Sequence, residues 1–420
     1  MTGVKAFSTS SLEPFLQRSR IAYFSMEIAL RPEIHTYSGG LGVLAGDTAR
    51  SCADFSLPIV FVTLLSRAGY VHQDLDKQGR QLTQPNPWQP EDWTQPVNVM
   101  IAVRAEGRDV WIRPWIYLLN CPLGHCVPVL LLDTDLEQNS PQDRHITDHL
   151  YGGDEANRLK QEIVLGIGGA RILQALGFQI SKYHLNEGHA ALLTVYLLRQ
   201  FRRSKGVKAS LYDDEQVRER CIFTTHTPVE AAFDKFSYAL VSRVLGDYIE
   251  LDELKRHAGD DHLNMTRLAL NLSGYVNGVS ERHAQTASGM FPGYDVRAVT
   301  NGVHAPTWTH VSFARLFHES FPQWAHDPEV LRRAERLSDD VVWNAHQDAK
   351  RDLTALVKAR CDTSLSADVP ILGFARRMWN TNDRLCSSAT WSGFRLSCAG
   401  ARFSWCSPGW PTRVTSRVLL

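Results

Sequence analysis

The segment IAYFSMEIALRPEIHTYSGGLGVLAGDTARSCADF (21–55) joins a short apolar run to a glycine-rich turn and then to a helix-like stretch. The run IAYFSME (21–27) has the apolar character of a strand that is buried on both faces. The helix-like stretch covers 43–55, and the turn YSGGLG (37–42) lies between the two. This order of strand, turn and helix is typical of proteins with a parallel sheet.

The same alternation continues along the chain. Further apolar runs that predict strands are PIVFVTLL (58–65), VWIRPWIYLL (110–119), VPVLLLD (127–133), KYHLN (182–186), CIFTT (221–225) and ILGFAR (371–376). The helix-like stretches are DEANRLKQEIVLGIGGARILQAL (154–176), HAALLTVYLLRQF (189–201) and much of 338–358. Alternating strands and helices predict an α/β fold with a mainly parallel sheet.

Composition narrows the classes of partner. The 420 residues carry 45 Lys plus Arg and 45 Asp plus Glu, so no net charge favours nucleic acid or a membrane surface. A neutral substrate such as a sugar polymer needs no such charge. Eight cysteines without a C-x-x-C pair, and the lack of an apolar signal or membrane-spanning run, predict a reduced, cytoplasmic setting.

The turn at 37–42 is the first candidate site. Glycines allow a ligand to approach the backbone closely, and the free N–H groups at the start of a helix attract an anion. Gly39 and Gly40 are therefore candidates for binding a phosphate. The alternative is a tight turn without a ligand, and the spacing does not match the dinucleotide pattern G-x-G-x-x-G.

A second candidate, YHLNEGH (183–189), follows a predicted strand and opens a predicted helix. Ligands of such sheets bind outside the carboxyl ends of the strands, where Glu187 and His189 could bond sugar hydroxyls. A metal between His184 and His189 is an alternative, although the spacing is not H-E-x-x-H. In the simplest alternative, Asn186 and Glu187 only cap the helix.

Two further motifs lie at strand ends or turns. FTTHTP (223–228) places polar residues, including His226, directly after a buried strand, although a lone histidine there is by default structural. VNGVS (276–280) and TNGVH (300–304) each contain Asn-Gly, which is also a common turn pair.

The last stretch, 379–420, differs from the rest of the chain. It holds four tryptophans, three cysteines and one acidic residue, Asp383, and it has neither helix nor strand periodicity. Typical disordered segments are poor in tryptophan and cysteine. We interpret this tail as the product of a shifted reading frame, and the alternative is an unusual but genuine C-terminal element.

Together, in this order, the motifs resemble those of the α-glucan (glycogen/maltodextrin) phosphorylases, nearest the bacterial branch. The stretches that carry the resemblance are YFSMEIAL (23–30), YSGGLGVLAGD (37–47), YHLNEGHAALL (183–193), FTTHTPVEAAFDKF (223–236), VNGVSERHAQ (276–285), TNGVHAPTW (300–308) and GFARRM (373–378). The resemblance covers roughly residues 20–378 and implies the N-terminal part only of a two-domain (GT-B type) glycosyltransferase. The expected organisation is a lead (1–20), a Rossmann-like domain with helical insertions (21–369), the start of a largely missing second domain (370–378) and the aberrant tail (379–420).

The resemblance also implies an activity. Enzymes of this family transfer the terminal glucose of an α-1,4-glucan to inorganic phosphate, with pyridoxal phosphate as cofactor, and a homodimer is expected as in the family. By residue-to-residue match, Gly39, Gly40, Arg376 and Arg377 are expected to bind phosphate, and Leu41, His226 and Asn301 are expected to line the glucose site. Glu187 joins this glucan-binding set. No metal ligand is expected.

The chain departs from the family after GFARRM, where a phosphate-binding lysine is replaced by Trp379-Asn380-Thr381-Asn382. The loop with the lysine that would bind pyridoxal phosphate has no counterpart. We therefore expect an inactive fragment that does not bind the cofactor. The alternatives are an intact short phosphorylase, a non-catalytic glucan-binding remnant, and a nucleotide-sugar glycosyltransferase of glycogen-synthase type. The last usually has a lysine where this chain has Tyr37.

Overall fold

The computed structural model describes residue 7 and residues 9–75, 81–122, 124–203, 211–227, 233–361, 364–373 and 404–406. The chain forms two compact units, one of Met1–Val71 with Pro85–His304, the other of His72–Gln84 with Ala305–Leu420. The strands of this part are β1 (Ile21–Ser25), β2 (Ile59–Leu64), β3 (His72–Leu75), β4 (Gln81–Gln84), β5 (Gln95–Pro96), β6 (Ile101–Ala105), β7 (Arg108–Asn120), β8 (Cys126–Asp133), β9 (Lys182–Asn186), β10 (Cys221–Thr225), β11 (Lys235–Ser237), β12 (His262–Asn264), β13 (Tyr275–Gly278), β14 (Val296–Ala298), β15 (Ile371–Gly373) and β16 (Ser404–Cys406).

The α-helices of the same part are α1 (Glu13–Arg18), α2 (Gly40–Asp54), α3 (Pro90–Trp93), α4 (Pro141–Arg144), α5 (Glu155–Ile163), α6 (Gly169–Leu176), α7 (Leu192–Gln200), α8 (Asp214–Arg218), α9 (Tyr238–Val244), α10 (Leu251–Ala258), α11 (Met265–Asn271), α12 (Glu281–Met290), α13 (Ala305–Trp308), α14 (Val311–Ser320) and α15 (Asp339–Cys361). Short 3-10 segments cover Thr9–Leu12, Gly188–Ala190 and Pro328–Arg336. None of the described helices is both long enough and apolar enough to cross a membrane.

A mostly parallel sheet forms the centre of the first unit. Its strand order is β14-β13-β10-β9-β1-β2-β8-β7-β5, and β6 pairs with β7. The pairs from β14 through β1 to β8 are parallel, whereas β7 runs antiparallel to β8, β6 and β5. The predicted α/β class with a mainly parallel sheet is confirmed, and it is consistent with the Rossmann-like half of a GT-B fold.

Both faces of the sheet are covered, which explains why the strands are almost continuously apolar. On β2, Ile59 and Phe61 belong to the hydrophobic cluster that includes α2 residues. Their neighbours Val60 and Val62 belong to a second cluster, which includes residues of α5, α6 and α7. Alternate side chains of a strand point to opposite faces, so every position of β2 is buried.

The helix predicted over 154–176 is interrupted. It consists of α5, a π-helical segment at Val164–Gly168, and α6. Within it, a Cβ at Gly169 would lie 2.7 Å from Cε1 of Phe24. Glycine is therefore required for this close approach of helix to sheet. The periodicity predicted the helix but not the π-helical segment, whose hydrogen-bond shift leaves little trace in residue type.

One predicted boundary was wrong. The helix after the glycine turn begins at Gly40 rather than at residue 43, because glycine at a helix start carries no side chain that signals it. The alternative in which the first Asn-Gly pair is only a turn does not hold, since Tyr275–Gly278 is strand β13, which pairs with β10 and β14. A four-residue strand is too short for its pattern to outweigh the turn propensity of Asn-Gly.

The second unit is described by itself. Helix α14 packs against α15, with Ser312 Oγ bonded to the Ala345 carbonyl at 2.7 Å. Helix α15 confirms the helix predicted over much of 338–358. In the tail, β16 pairs in parallel with β15, and residues 379–403 and 407–420 lie outside the described residues. The frame-shift interpretation of the tail stays a prediction.

Candidate functional site

Four neighbouring parallel strands of the central sheet, β1, β9, β10 and β13, end at the same edge. The register pairs Ser25 with Asn186, Thr224 with Asn186, and Thr225 with Gly278. The residues that directly follow these strands therefore lie side by side. We call this region the carboxyl edge, and three of the motifs singled out in the sequence, at 183–189, 223–228 and 276–280, start within the strands that end there.

The glycine turn is bonded to the carboxyl edge through a residue that sequence reasoning missed. The carboxylate of Glu27, just after β1, accepts hydrogen bonds through Oε2 from the backbone N–H of Ser38 at 2.6 Å and of Gly39 at 3.1 Å. Glu27 is only 3% exposed. A Cβ at Gly42 would lie 2.8 Å from the same oxygen, so the carboxylate requires glycine there. The only sequence signal for Glu27 is a charge directly after an apolar strand.

The open part of the turn lies one residue further along. The first intrahelical bond of α2 runs from Val43 N to Gly39 O at 3.1 Å, so the N–H groups of Gly40 and Leu41 precede the helical ladder. Gly40 is exposed, and a Cβ there would meet nothing within 4 Å. The N–H groups of Gly40 and Leu41 thus lie ahead of the helical ladder, whereas the Gly39 donor is satisfied by Glu27.

Glu187 holds the loop after β10. It is 7% exposed and adopts φ of 67°, an uncommon value for a residue other than glycine. Its carboxylate accepts from Gly188 N at 3.2 Å, His226 N at 2.8 Å and Thr227 Oγ1 at 3.0 Å. Burial raises the pKa of Glu187, and these hydrogen bonds oppose the rise. All of these donors belong to the protein. One of them, the Gly188 N–H, lies at the start of the short 3-10 segment, so Glu187 caps that segment as the simplest alternative predicted.

The tautomer of His226 follows from its neighbours. The Ser25 hydroxyl donates to the Glu27 carbonyl at 2.7 Å, so its oxygen accepts from Asn186 Nδ2 at 3.0 Å. Asn186 Oδ1 then faces His226 Nε2 at 2.6 Å, and because an amide oxygen only accepts, Nε2 carries the hydrogen. Burial, together with neighbouring histidines, lowers the pKa of His226 to about 3. The ring is neutral, and Nδ1 is its remaining acceptor.

Asn301 lies in the loop after β14 and bonds the residue that follows β13. Its N–H donates to the Val279 carbonyl at 3.0 Å, and its side chain belongs to an exposed residue. Further along the same loop, His304 Nε2 contacts Asp54 Oδ2, at the end of α2, at 2.8 Å. The structure therefore brings Gly40, Leu41, His226 and Asn301 to one edge of the sheet.

A charged cluster of the buried Glu162 and the partly buried Arg158, His189 and Asp234 adjoins this edge, and sequence reasoning missed all but His189. Arg158 donates to Asp234 at 2.8 Å, and His189 Nε2 lies 3.6 Å from the same carboxylate. Burial raises the pKa of the fully buried Glu162 well above its usual range and lowers that of His189 to about 4. Burial opposes ionisation of Asp234, but His189 and Arg158 outweigh it and hold the pKa of that carboxyl low.

The two histidines of the metal alternative are not brought together, and two phosphate candidates are not among the described residues. Arg376 and Arg377 lie outside the described residues. His184 and His189 have separate partners, since His184 Nε2 bonds Thr224 Oγ1 at 2.8 Å and His189 faces Asp234. Away from the edge, Asp214, Glu253 and His257 have a spacing that could hold a metal ion, but the Arg256 guanidinium already bridges both carboxylates.

The sequence was also compared with those of known proteins. No family model matches the chain. The chain is 35% identical to the maltodextrin phosphorylase of Thermococcus litoralis over 393 residues, which cover 85% of the chain and 46% of that protein. It is 34% identical to a Mycobacterium tuberculosis glycogen phosphorylase, covering 77% of the chain and 40% of that protein. It is 31% identical to the Aquifex aeolicus glycogen phosphorylase, covering 85% of the chain and 57% of that protein.

The chain thus spans about half of the length of the relatives that it matches. Most of its own length is covered at an identity of 31–35%. The chain belongs to the glycogen and maltodextrin phosphorylase family.

Proposed function

We propose that the carboxyl edge binds the terminal glucose of an α-1,4-glucan beside inorganic phosphate, the two reactants of phosphorolysis to glucose 1-phosphate. The observation that carries this proposal is the neutral His226 ring, whose Nδ1 is left as an acceptor. An uncharged acceptor and an exposed amide, Asn301, at the same edge of the sheet suit sugar hydroxyls, which both donate and accept.

Phosphate is assigned to the start of α2. The helix is 15 residues long, and its first N–H groups, at Gly40 and Leu41, carry the positive end of the helix dipole. Because Gly40 has open space at its Cα, an anion can approach the backbone closely. Ser38 and Gly39 bind the Glu27 carboxylate instead, so we limit the phosphate contact to Gly40 and Leu41.

No contact among the described residues identifies a lysine that would hold the cofactor that the resemblance implies. Pyridoxal phosphate needs a free lysine amine, but Lys160 Nζ bonds Glu106 at 2.8 Å and Lys350 Nζ bonds the Val369 carbonyl at 2.8 Å. Lys182 donates to the Glu219 carbonyl. We assign the cofactor to no lysine among the described residues and derive no step through it. We propose that the chain alone binds glucan without completing phosphorolysis.

Calorimetric titration with maltoheptaose tests the binding. We expect wild-type binding that is lost in His226→Ala and kept in the control His145→Ala, whose side chain is 72% exposed. Absence of wild-type binding would contradict the proposal, and so would tighter binding of UDP-glucose, which would favour a nucleotide-sugar enzyme.

A second assay tests the missing turnover. The chain is mixed with pyridoxal phosphate, reduced with borohydride and assayed for glucose 1-phosphate release from maltodextrin and phosphate. We expect neither a stoichiometric adduct nor release. An adduct together with turnover would show that a lysine such as Lys350 or Lys358 holds the cofactor.

A further inference from the structure

Both oxygens of the buried Glu27 carboxylate are engaged, and they connect distant parts of the chain. Oε2 accepts from the N–H groups of Ser38 and Gly39, and Oε1 accepts from the Tyr151 hydroxyl at 2.9 Å, 124 residues away in sequence. A buried carboxylate is costly unless donors surround it. The Tyr151 hydroxyl is therefore part of what fixes Glu27, and through Glu27 the glycine turn.

Tyr151 is itself held in an unfavourable conformation. Its φ is 58°, in the left-handed region that a bulky residue rarely adopts. The Arg158 guanidinium lies over its ring, 5.0 Å from the centroid, and the His189 ring lies 5.5 Å away. Arg158 is fixed in turn by Asp234 at 2.8 Å. Backbone strain of this kind persists only where surrounding contacts impose it, and it concentrates at functional sites.

The position of the glycine turn matters for binding because only part of it is open. With Ser38 and Gly39 bonded to Glu27, the N–H groups of Gly40 and Leu41 are the ones that face a ligand. Losses in affinity or rate follow from shifts of about 1 Å in such preorganised groups. If Glu27 could rotate, the N–H groups of Ser38 and Gly39 would lose their acceptor and the turn would relax.

We propose that Tyr151 and Glu27 are positioning residues, which lock the glycine turn so that Gly40 and Leu41 present their N–H groups to the ligand. The inference rests on the proposed function of the carboxyl edge. It connects the cluster of Arg158, His189 and Asp234 to the turn through one hydroxyl group.

The test uses the full chain and Tyr151→Phe, which removes the hydroxyl but keeps the ring against Arg158 and His189. The control is Tyr196→Phe, which loses a comparable hydroxyl bond, to Gln174 Oε1 at 2.6 Å, among helix residues. The readouts are amide hydrogen exchange at Ser38 and Gly39 and the affinity for inorganic phosphate, the ligand assigned to Gly40 and Leu41.

In Tyr151→Phe we expect exchange at Ser38 and Gly39 to accelerate roughly tenfold and the phosphate affinity to fall by a similar factor, as for one lost hydrogen bond to a charged group. Exchange on β2 stays at the wild-type rate. The control leaves exchange at Ser38 and Gly39 and the phosphate affinity unchanged.

Unchanged exchange at Ser38 and Gly39 would overturn the inference, and so would acceleration spread evenly over the chain, which indicates general destabilisation. Glu27→Gln provides a second variant, because its amide cannot accept from all three donors. If wild type does not bind maltoheptaose, the proposed function fails, yet the exchange rates still decide whether Tyr151 holds the turn.

Discussion

The carboxylate of Glu187 lies 2.8 Å from the backbone nitrogen of His226, whose N–H it accepts, although 39 residues separate the two in sequence. This bond sets the backbone of the loop after β10, while Asn186 sets the ring of the same histidine. Two adjacent residues at the end of β9 thus orient the His226 backbone and side chain, which makes the histidine a rigid part of the carboxyl edge.

Glu187→Gln tests this arrangement. A glutamine keeps the size of the side chain but turns one acceptor into a donor that faces the N–H and O–H groups of His226, Thr227 or Gly188. We expect the free energy of unfolding to fall by about 1–3 kcal/mol, the cost of an unsatisfied buried polar group. Urea unfolding measures it. The matched control, Glu155→Gln on exposed Glu155, should change stability by less than about 0.5 kcal/mol. Equal losses of stability in the two variants would mean that the Glu187 carboxylate does not hold the His226 loop.

The two glycines at the start of α2 are predicted to respond differently to alanine. In Gly42→Ala the new Cβ would lie 2.8 Å from Glu27 Oε2 and 2.6 Å from Tyr37 Cβ, so we expect a loss of about 1–3 kcal/mol in unfolding free energy. In Gly40→Ala the Cβ meets open space, so stability is kept while the affinity for inorganic phosphate falls. Thermal unfolding and calorimetric titration separate the two effects. Equal losses of stability would show that the turn is not open at Gly40.

Three buried histidines are predicted to stay neutral in mild acid. Burial lowers the pKa of His184 and His189 to about 4 and that of His226 to about 3. Below the ordinary histidine pKa of about 6.5, the unfolded chain takes up protons that the folded chain does not, so their stabilising contribution is present at pH 7 and declines as the pH falls toward 4. The imidazole Cε1–H resonances, assigned by single His→Asn variants, should not shift between pH 7 and 5. A titration in this range would contradict the burial.

Glu162 is predicted to have the opposite pH dependence. Because burial raises its pKa, the folded chain holds a proton that the unfolded chain releases above about pH 4.5, and wild-type stability declines as the pH rises toward the folded pKa. Glu162→Gln copies the protonated acid, so its advantage over wild type should grow from pH 5 to pH 8. The comparison variant Asp234→Asn removes the ionised partner of Arg158 and should lower the free energy of unfolding at both pH 5 and pH 8. The midpoints of urea unfolding at pH 5 and pH 8 measure these differences. A stability difference between Glu162→Gln and wild type that does not change with pH would mean that Glu162 is not protonated in the folded chain.

The sequence determined the elements and their order. The runs at 58–65 and 182–186 are apolar enough to predict buried strands, and the glycines at 39, 40 and 42 marked the strand-to-helix turn, because these signals depend only on neighbouring residues. The position of His226 directly after an apolar strand was sufficient to place it at the carboxyl edge, since parallel strands end together.

Tertiary structure alone decided which polar groups meet there. Nothing near Tyr151 in sequence indicates that its hydroxyl bonds Glu27, and the spacing of Glu187 and His226 does not reveal that a carboxylate holds a backbone N–H. The neutral state of His226 likewise depends on burial and on Asn186. These features arise from contacts between segments that are far apart in the chain, and their energies depend on desolvation, which is set by what the whole fold packs around each group.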